Sequence, residues 1–429
     1  MDLLIQNGRI IDPSNNVDRQ GDVLVIDGKI SKIDENISAP DHNCALFDAS
    51  GLIVSPGFID LHCHLRQPGF VEKETIASGT KAAAKGGFTT ICCMPNTTPP
   101  IDTLDTMKQV YAIAQNEGII RVFPIAAITK GRAGKSLVHL AELKTAGAVA
   151  FSDDGSPVWD EKVMRQALEQ SRALNVPIID HCEDLDLSMD GVMNTGSIAD
   201  KLGYKGIPAI AEERMVSRDI ELARQTNGRL HIAHVSTAGS VDLIRTAKEQ
   251  GINITAEVTP HHLTLTEEEV LRCGTNAKVN PPLRTKLDID ALIKGLREGV
   301  IDAIATDHAP HTEADKSVSF EQAAFGISGF ETVLGSLMTL VHQGKIDLPT
   351  LISKLTYEPA RIIGRPGVNG GLGTTLTADI TIFNPDIEWA VDPSEFFSKG
   401  KNTPLTGTIL KGIVATTIVN GEIVYQGNF

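Results

Sequence analysis

The chain has 429 residues, and its 39 Lys or Arg against 54 Asp or Glu give a formal net charge of −15. This acidic balance argues against nucleic acid or an anionic membrane as a partner, because both bind through a basic face. It does not exclude an anionic small molecule, since a buried site sets its own local field. With 41% hydrophobic residues the chain can bury a sizeable core, and we expect one large domain or two to three smaller ones.

Six cysteines, none of them in a CxxC pair, are too few for a disulfide framework and do not match a zinc ribbon or a dithiol redox motif. The N-terminal residues lack the basic and apolar stretches of a signal peptide. No uninterrupted apolar run of the sequence approaches the ~18 residues that a membrane span needs. We therefore expect a soluble, cytoplasmic protein.

The two ends of the chain have the same local pattern. Residues typical of strands flank Asn7-Gly8, Asp27-Gly28 and Asn420-Gly421, and such dipeptides favour tight hairpin turns. Neither end has enough predicted strands for a stable sheet of its own. We therefore predict one small β-sandwich domain built from both termini, residues 1–55 together with 368–429.

The middle of the chain, residues 56–367, alternates short apolar runs with helix-patterned segments. Apolar strands between helices are typical of a parallel sheet covered on both faces. Eight such units fit a (β/α)8 TIM-type barrel. A doubly wound open sheet is the alternative, but it would collect its polar groups at one switch point. The eight runs are Phe58–His62, Phe88–Met94, Arg121–Ala127, Ala148–Asp153, Pro177–His181, Leu230–Val235, Ile254–Val258 and Asp302–Thr306.

Two helices of this region have clear sequence signals. Apolar residues recur at i, i+3, i+4 and i+7 from Ile289, which indicates one buried helix face. The segment Thr266–Glu269 fits a capping box and predicts the start of another helix.

Polar side chains follow several of the apolar runs, at the end where the active site of such a barrel lies. Residues two apart on a strand face the same side, so His62 and His64 point together. Barrel closure places the first and last runs side by side. His62, His64 and Asp307 can therefore share one metal ion.

Runs four, five and six are consecutive neighbours, and they end in Asp153-Asp154, His181 and, in run six, His234. One of these aspartates can share a second ion with the two histidines, and a carboxylate from run four can bridge both ions. Mixed imidazole and carboxylate ligands suit zinc, with manganese or cobalt as substitutes. Two metals about 3.5–4 Å apart acidify a bridging water and polarise a carbonyl.

Each of these signals has a structural alternative. A lone His-x-His motif is weak evidence for a metal, and a single His181 or His234 at a strand end is more often hydrogen-bonded to its surroundings. Asp153-Asp154 could cap the following helix. So many unpaired polar groups in one barrel mouth would cost several kcal/mol. Their coincidence therefore favours the interpretation with two metals.

Two segments resemble the signatures of the dihydroorotases. Residues 60–69, DLHCHLRQPG, are similar to the first signature, and residues 305–311, ATDHAPH, with Lys316 beyond them, are similar to the second. The resemblance covers nearly the whole chain and is to the longer bacterial class (class I) of these members of the amidohydrolase superfamily. Three shorter segments are also similar to the family: 95–97, 280–284 and 324–326.

The bridging residue and one neighbour distinguish this class. In class I an aspartate replaces the carboxylated lysine that bridges the metals elsewhere in the superfamily, and Asp154 matches that position. Cys63 departs from the aliphatic residue that is usual between the two histidines. We expect its side chain to face away from the metals.

The resemblance implies an enzyme, a zinc-dependent cyclic amidohydrolase of pyrimidine biosynthesis. Its reaction is the reversible cyclisation of N-carbamoyl-L-aspartate to L-dihydroorotate with loss of water, through a metal-bridged hydroxide and with Asp307 as general acid and base. Two Zn²⁺ per subunit are expected. The implied metal ligands are His62, His64, Asp154, His181, His234 and Asp307. The implied substrate contacts are His64, Arg66, Asn96, Asn280, His311 and the backbone of Phe325 and Gly326.

Two other functions are weighed against this one. A hydantoinase or allantoinase shares the barrel and the metals, but it usually keeps the bridging lysine and does not need an arginine such as Arg66. A non-catalytic, dihydroorotase-like scaffold of aspartate transcarbamoylase would have lost metal ligands. Beyond the small-molecule substrate, two partners stay open: a second copy of this chain in a homodimer, and aspartate transcarbamoylase.

The remaining histidines are given structural roles. We expect His231 to face away from the metals, His308 to orient its loop, and His261-His262 to pack behind the site. His42, His139 and His342 are expected at the surface or rim.

Overall fold

The computed structural model describes residues 2–40 and 44–427. Its N-terminal part is a group of five strands: β1 (Asp2–Asp12), β2 (Val17–Ile26), β3 (Lys29–Asp34), β4 (Cys44–Asp48) and β5 (Ile53–Pro56). Strand β1 pairs antiparallel with β2, β2 pairs antiparallel with β3, and β1 also pairs parallel with β4 and β5.

The two N-terminal turn signals have different outcomes. Asp27-Gly28 is the hairpin turn between β2 and β3, and both residues have positive φ, 49° and 74°. The hairpin predicted at Asn7-Gly8 is wrong, because β1 runs through these residues. Asn7 has a φ of 63° at a bulge where the register against β2 shifts between Ile5 and Gly8. A Cβ on Gly8 would lie 2.5 Å from Cγ2 of Val54 on β5, so this glycine permits a close strand contact.

The middle of the chain is the predicted barrel of eight parallel strands. The strands of this region are β6 (Phe58–Cys63), β7 (Phe88–Cys93), β8 (Arg121–Pro124), β9 (Phe151–Ser152), β10 (Ile178–Asp180), the outlying pair β11 (Met193–Asn194) and β12 (Gly206–Ile207), β13 (Leu230–Ile232), β14 (Ile254–Val258) and β15 (Ala303–Ile304). Strands β6 to β8 form one sheet, and β9, β10, β13, β14 and β15 form another. The parallel bridges Ala126–Phe151 and Cys63–His308 join the two sheets on both sides, which closes the barrel.

Each predicted apolar run overlaps one barrel strand. Strand β6 extends one residue beyond its run, to Cys63, and most of the other strands are shorter than their runs. Run six ends at Val235, whereas β13 ends at Ile232, and run eight ends at Thr306, whereas β15 ends at Ile304. His234 and Asp307 have positive φ of 33° and 45°, which takes the backbone out of the strand conformation. The chain therefore leaves the sheet just where it presents these polar side chains.

The helices surround the barrel and connect its strands. They are α1 (Ile76–Lys85), α2 (Leu104–Glu117), α3 (Leu140–Thr145), α4 (Glu161–Leu174), α5 (Leu185–Ser188), α6 (Ser197–Leu202), α7 (Ala209–Thr226), α8 (Ala238–Glu249), α9 (Pro260–Thr264), α10 (Glu269–Cys273), α11 (Lys286–Arg297), α12 (Glu313–Lys316), α13 (Val333–His342), α14 (Leu348–Leu355) and α15 (Tyr357–Ile363).

The two helix signals also differ in outcome. The helix predicted around Ile289 is α11, which buries its apolar face and begins with a capping box between Thr285 and Asp288. The capping box predicted at Thr266–Glu269 is wrong, because α10 begins at Glu269 without a side-chain cap. The carboxylate of Glu267 instead accepts a hydrogen bond of 2.6 Å from Asn194 Nδ2.

The C-terminal strands complete the β-domain that begins at the N-terminus. Strands β16 (Ile380–Ala390), β17 (Ile409–Val419) and β18 (Glu422–Gln426) follow the barrel, and β16 pairs antiparallel with β5. Asn420-Gly421 is the predicted hairpin turn, with φ of 54° and 79°. The resulting eight-stranded sheet folds around one core, which includes Leu3, Ile5, Val25, Ile380 and Ile418. In the described ranges, every helix is too short or too polar to cross a membrane.

Candidate active site

A pocket of about 640 Å³ opens at the carboxyl ends of the barrel strands. It collects every predicted site residue except His62, whose side chain is buried beside it. The lining residues are His64, Arg66, Asn96, Asp154, Gly155, His181, His234, Asn280, Asp307, Ala309, His311, Phe325 and Gly326. Residues from widely separated parts of the sequence therefore meet in one cavity.

The first predicted ligand group is assembled by closure of the barrel. His62 lies on β6 and His64 directly after it, while Asp307 follows β15. Asp307 Oδ1 lies 3.0 Å from His64 Nε2 and 3.5 Å from His62 Nε2. These three side chains could hold a metal ion.

The second group centres on Asp154. Its Oδ1 lies 3.4 Å from His62 Nε2, 3.7 Å from His181 Nδ1 and 3.6 Å from His234 Nε2. Its Oδ2 lies 3.6 Å from His64 Nε2. The carboxylate of Asp154 therefore contacts histidines of both predicted groups, as a bridging ligand must.

The neighbouring Asp153 has a separate role. Its carboxylate accepts hydrogen bonds from the backbone nitrogens of Ile128 and Thr129. Helix α4 is capped instead by Asp160. The predicted alternative that the Asp153-Asp154 pair caps the helix is therefore wrong.

The polar atoms at the centre of this site match the needs of bound cations. Among the described residues, the buried atoms His62 Nε2 and Asp154 Oδ1 find no hydrogen-bond partner. His181 Nδ1 and His234 Nε2 face each other at 2.9 Å. A buried polar atom without a partner costs about 1–3 kcal/mol, and a divalent cation would satisfy several such atoms together. Imidazole and carboxylate are ligands of Zn²⁺ and of its common substitutes, so the residues fit a metal centre.

A buried carboxylate fixes the orientation of His62. Glu257, on β14, lies with its Oε1 2.8 Å from His62 Nδ1, so that Nδ1 carries a proton and Nε2 faces Asp154 and Asp307, where it would bind a cation. The other oxygen of Glu257 lies 3.1 Å from His231 Nε2, and His231 Nδ1 lies 2.7 Å from Thr255 Oγ1. His231 thus supports the site through Glu257.

Similar partners hold the other histidines. Glu183 Oε2 lies 3.0 Å from His181 Nε2 and accepts a hydrogen bond of 2.9 Å from Asn280 Nδ2. Asn96 Oδ1 lies 2.9 Å from His64 Nδ1. Sequence reasoning missed Glu183 and Glu257. For Glu183 a signal was available, because it follows His181 by two residues at a strand end.

The charges of the site stabilise one another. Burial disfavours every charged form, but the positive charge of His62 and the close approach of His181 and His234 hold the pKa of Asp154 well below its ordinary value. Burial likewise opposes ionisation of Asp307, yet the hydrogen bond from His64 and the charge of His62 lower its pKa. Both carboxylates are therefore ionised, which is the form that binds cations.

One wall of the pocket is cationic, because it carries the guanidinium of Arg66. Arg66 has a φ of 59°, an uncommon backbone conformation for a residue with a side chain. Its Nε donates to the carbonyl of Pro310 at 3.3 Å, and its Nη2 lies 3.3 Å from His311 Nε2. Burial together with the charges of Arg66 and Lys73 lowers the pKa of His311 to about 3. His311 is therefore a neutral hydrogen-bonding group beside a charged guanidinium.

The remaining predicted structural residues lie outside this pocket. Cys63 points its Sγ toward the carbonyl of Cys92 at 3.3 Å. His308 stacks on Phe330 with ring centroids 4.1 Å apart, and its Nε2 lies 3.3 Å from Glu74 Oε2.

The other histidines divide into buried and exposed groups. His261 and His262 are buried after β14. His139 and His342 are exposed, and His42 lies outside the described residues.

Comparisons with known sequences point to one family. A family model described as Dihydro-orotase-like matches residues 51–240. The dihydroorotase of Caldanaerobacter subterraneus subsp. tengcongensis is 52% identical over 429 residues, which cover 100% of this chain and 98% of that protein. The dihydroorotase of Syntrophus aciditrophicus is 49% identical over 426 residues, which cover 99% of this chain and 100% of that protein.

Comparisons with solved structures agree on the architecture. L-Hydantoinase (dihydropyrimidinase) from Arthrobacter aurescens matches with a TM-score of 0.89 at 26% identity, over 100% of this chain and 97% of that chain. Dihydropyrimidinase from Brevibacillus agri matches with a TM-score of 0.87 at 24% identity, over 99% of this chain and 95% of that chain, and shows the fold alone. With the full-length identities of about one half, these findings show that the chain belongs to the dihydroorotase family.

Proposed function

We propose that the chain is a metal-dependent dihydroorotase, which interconverts N-carbamoyl-L-aspartate and L-dihydroorotate with loss or gain of water. The observation that carries this proposal is one pocket that joins the Asp154-centred histidines to a guanidinium, that of Arg66. The histidines around Asp154 suit hydrolysis of a cyclic amide, and the guanidinium of Arg66 suits a substrate with a carboxylate that does not react. The identity to dihydroorotases over the whole chain supports the same substrate.

The metal centre is assigned to six side chains. We place His62, His64 and Asp307 on one cation, His181 and His234 on a second, and Asp154 between them. When bound, such ions lower the pKa of a water molecule and polarise a carbonyl oxygen. Zn²⁺ is the ion we propose at both positions, because tetrahedral sites of nitrogen and oxygen ligands suit it.

Asp307 is proposed to move the proton. In the ring-opening direction its carboxylate takes a proton from the attacking water and delivers it to the ring nitrogen as the amide bond breaks. In the synthetic direction it removes the proton from the ureido nitrogen that attacks the side-chain carboxylate of the substrate. A carboxylate held ionised beside His64, with Oδ1 at 3.0 Å, suits the base part of this cycle.

The cationic wall is proposed to bind the α-carboxylate of the substrate. The planar fork of Arg66 matches a carboxylate through two parallel hydrogen bonds, and we assign the neutral His311 beside it to the same carboxylate. We assign Asn96 to the same carboxylate and Asn280 to the ureido edge, together with His64. The backbone of Phe325 and Gly326 completes this edge. In the structure, Asn96 and Asn280 lie in the pocket wall.

Two alternatives give different expectations. A hydantoinase-like enzyme would use the same barrel, which the Arthrobacter aurescens structure shares, but Asp154 at the bridging position and Arg66 in the pocket favour a carboxylated substrate. A non-catalytic scaffold for aspartate transcarbamoylase would not need six ligand-type side chains in one place.

A side-by-side assay tests the proposed activity. The metal-loaded protein is incubated with L-dihydroorotate, hydantoin and allantoin, and kcat/KM is measured for each. We expect dihydroorotate to be preferred by at least about 100-fold, because an unpaired buried arginine penalises substrates without the carboxylate. A preference for hydantoin or allantoin contradicts the proposal, and so does the absence of turnover of all three.

Organisation and partners are part of the same proposal. We take residues 56–367 as the catalytic barrel and residues 1–55 with 368–429 as the composite β-domain. A cytoplasmic location, a homodimer and association with aspartate transcarbamoylase stay predictions. Light scattering of the protein alone measures whether it forms a homodimer. Light scattering of its mixture with aspartate transcarbamoylase measures whether the two proteins associate.

A further inference from the structure

A segment of the terminal β-domain reaches the wall of the candidate active site. Between β16 and β17, residues 391–408 leave the sheet and pack against the barrel loops. This segment contains Asn402, a buried residue that is 4% exposed. Neither the turn signals nor the family signatures of the sequence include this residue.

The amide of Asn402 uses its full hydrogen-bonding capacity. Its Oδ1 accepts from the backbone nitrogen of His311 at 2.9 Å and from Ser328 Oγ at 2.9 Å. Its Nδ2 donates to the carbonyls of Ala309 at 3.1 Å and Gly326 at 3.0 Å. An asparagine side chain has two donor hydrogens and an oxygen with two lone pairs, so all four positions are occupied.

These four bonds connect two loops that form one side of the pocket. The loop after β15 carries His311, and the second loop carries Phe325 and Gly326. Across the gap between them, His311 Nε2 lies 2.8 Å from the carbonyl of Phe325. The backbone nitrogen of Ser328 also donates to the carbonyl of Asn402 at 2.8 Å. Asn402 therefore ties the two loops together, in addition to the direct bond from the backbone nitrogen of Ala309 to the carbonyl of Ile327 at 2.9 Å.

Close packing around the segment leaves it little freedom. A Cβ on Gly400 would lie 2.5 Å from Cβ of Pro310, and a Cβ on Gly326 would lie 2.6 Å from the carbonyl oxygen of Ala309. Nearby, Ser398 Oγ donates to Glu74 Oε2 at 2.6 Å, and Glu74 contacts His308. The β-domain thus holds this side of the pocket at several points.

We propose that Asn402 is a positioning residue for substrate binding, which holds His311 and Gly326 at the separation that the substrate requires. The inference rests on the proposed function, because it concerns the same pocket. Asn402 bonds to none of the six side chains assigned to the metal centre. Its removal should therefore weaken binding of the substrate more than it slows the chemical step.

Two variants separate the donor and acceptor roles of the amide. Asn402→Ala removes all four bonds. Asn402→Asp keeps the acceptors but places a carboxylate oxygen against the carbonyls of Ala309 and Gly326. We expect both variants to raise KM for L-dihydroorotate by about 10-fold or more, with kcat within about 3-fold of the wild type, because each loses at least two buried hydrogen bonds. Metal content should be unchanged.

Asn384→Ala is the matched control. Asn384 Oδ1 caps the backbone nitrogens of Asp386 and Ile387 at 2.8 and 3.1 Å on β16, away from the pocket. The Asn384→Ala variant also loses an asparagine amide that binds backbone groups, so its thermal unfolding shows the general effect of losing such hydrogen bonds. We expect Asn384→Ala to leave KM unchanged.

Hydrogen exchange provides a readout that does not depend on turnover. In Asn402→Ala, peptides that contain residues 308–311 and 325–328 should exchange faster than in the wild type, while strands β6 and β10 stay protected. If Asn402→Ala is insoluble, Asn402→Ser, which keeps a smaller hydrogen-bonding group, takes its place. The proposal is overturned if KM is unchanged in the variants, whether or not kcat and metal content fall.

The same experiment distinguishes this inference from the proposed function. Turnover of dihydroorotate by the wild type decides the proposed function. The ratio of variant to wild type decides the role of Asn402, and it is measured on whichever of the three cyclic amides the wild type hydrolyses. If it hydrolyses none, unchanged exchange in the two loops overturns the inference.

Discussion

Glu257 offers a sharp test of how the metal centre is held. The Glu257→Leu substitution leaves a side chain of similar size and removes both hydrogen bonds, at 2.8 Å to His62 Nδ1 and at 3.1 Å to His231 Nε2. All three side chains are fully buried. Water therefore cannot replace the lost partner.

The expected magnitude follows from these contacts. Each buried nitrogen left without a partner costs about 1–3 kcal/mol, so the apo protein should lose about 2–6 kcal/mol of unfolding free energy. Loss of a group that orients a metal ligand typically weakens metal affinity about 10–100-fold, which equals about 1.4–2.8 kcal/mol. Glu257→Gln is the matched control, because its amide can accept from His62 and donate to His231. We expect it to keep most of the affinity and stability.

The assay has two parts. Metal retention is measured by titration with a chelator and quantified by mass spectrometry, and unfolding free energy is measured in denaturant with and without metal. Glu257→Leu should release metal at a chelator concentration at least about 10-fold lower than the wild type. The reasoning is refuted if Glu257→Leu holds metal as tightly as the wild type, or if Glu257→Gln loses as much affinity as Glu257→Leu.

Three further predictions concern the pocket itself. Asp307→Asn should retain metal but lower kcat by roughly 10³-fold or more, as expected for loss of a proton-transfer group, in steady-state assays of both directions. Arg66→Lys should raise KM more than it lowers kcat, because a point charge cannot replace the two-pronged contact. Burial and the charges of Arg66 and Lys73 lower the pKa of His311 from its ordinary 6.5 to about 3 in the folded protein. Between pH 3 and pH 6.5, His311 is therefore protonated in the unfolded chain but not in the folded protein. The wild type should therefore lose stability as the pH falls from 6.5 toward 3, and His311→Gln should lose less.

Each of these predictions has an outcome that contradicts it. Near-normal turnover by Asp307→Asn would remove the assigned proton transfer, and an unchanged KM in Arg66→Lys would remove the carboxylate contact. For His311, unfolding free energies are compared at pH 7 and pH 5. An equal loss in the wild type and in His311→Gln would show that this histidine titrates normally.

The sequence was most informative where the regular alternation of side chains along a strand placed polar side chains on the same face. In a strand, side chains alternate, so the spacing of His62 and His64 predicted a shared direction. The order of parallel strands in a closed barrel then predicted that Asp307 would meet them, and the structure places its carboxylate 3.0 Å from His64. The same reasoning brought His181 and His234 together.

Residues that act through tertiary contacts gave no such signal. Glu257 sits inside β14, where its charge has no local explanation, and its partner His62 is 195 positions away. Asn402 reaches His311 across 91 positions from a segment without periodic structure. The hairpin expected at Asn7-Gly8 was wrong for a related reason, since packing of Gly8 against Val54, rather than a turn, explains that glycine.

The central claim is that this pocket opens and closes the dihydroorotate ring with a metal centre and Asp307. The most direct measurement starts metal-loaded protein from pure L-dihydroorotate and, separately, from pure N-carbamoyl-L-aspartate, and follows both compounds by mass spectrometry. We predict that both reactions reach the same ratio of the two compounds, and that Asp307→Asn and chelator-treated protein leave each starting compound unchanged over the same time. Conversion in neither direction by the metal-loaded wild type, or equal conversion by Asp307→Asn, would contradict the account.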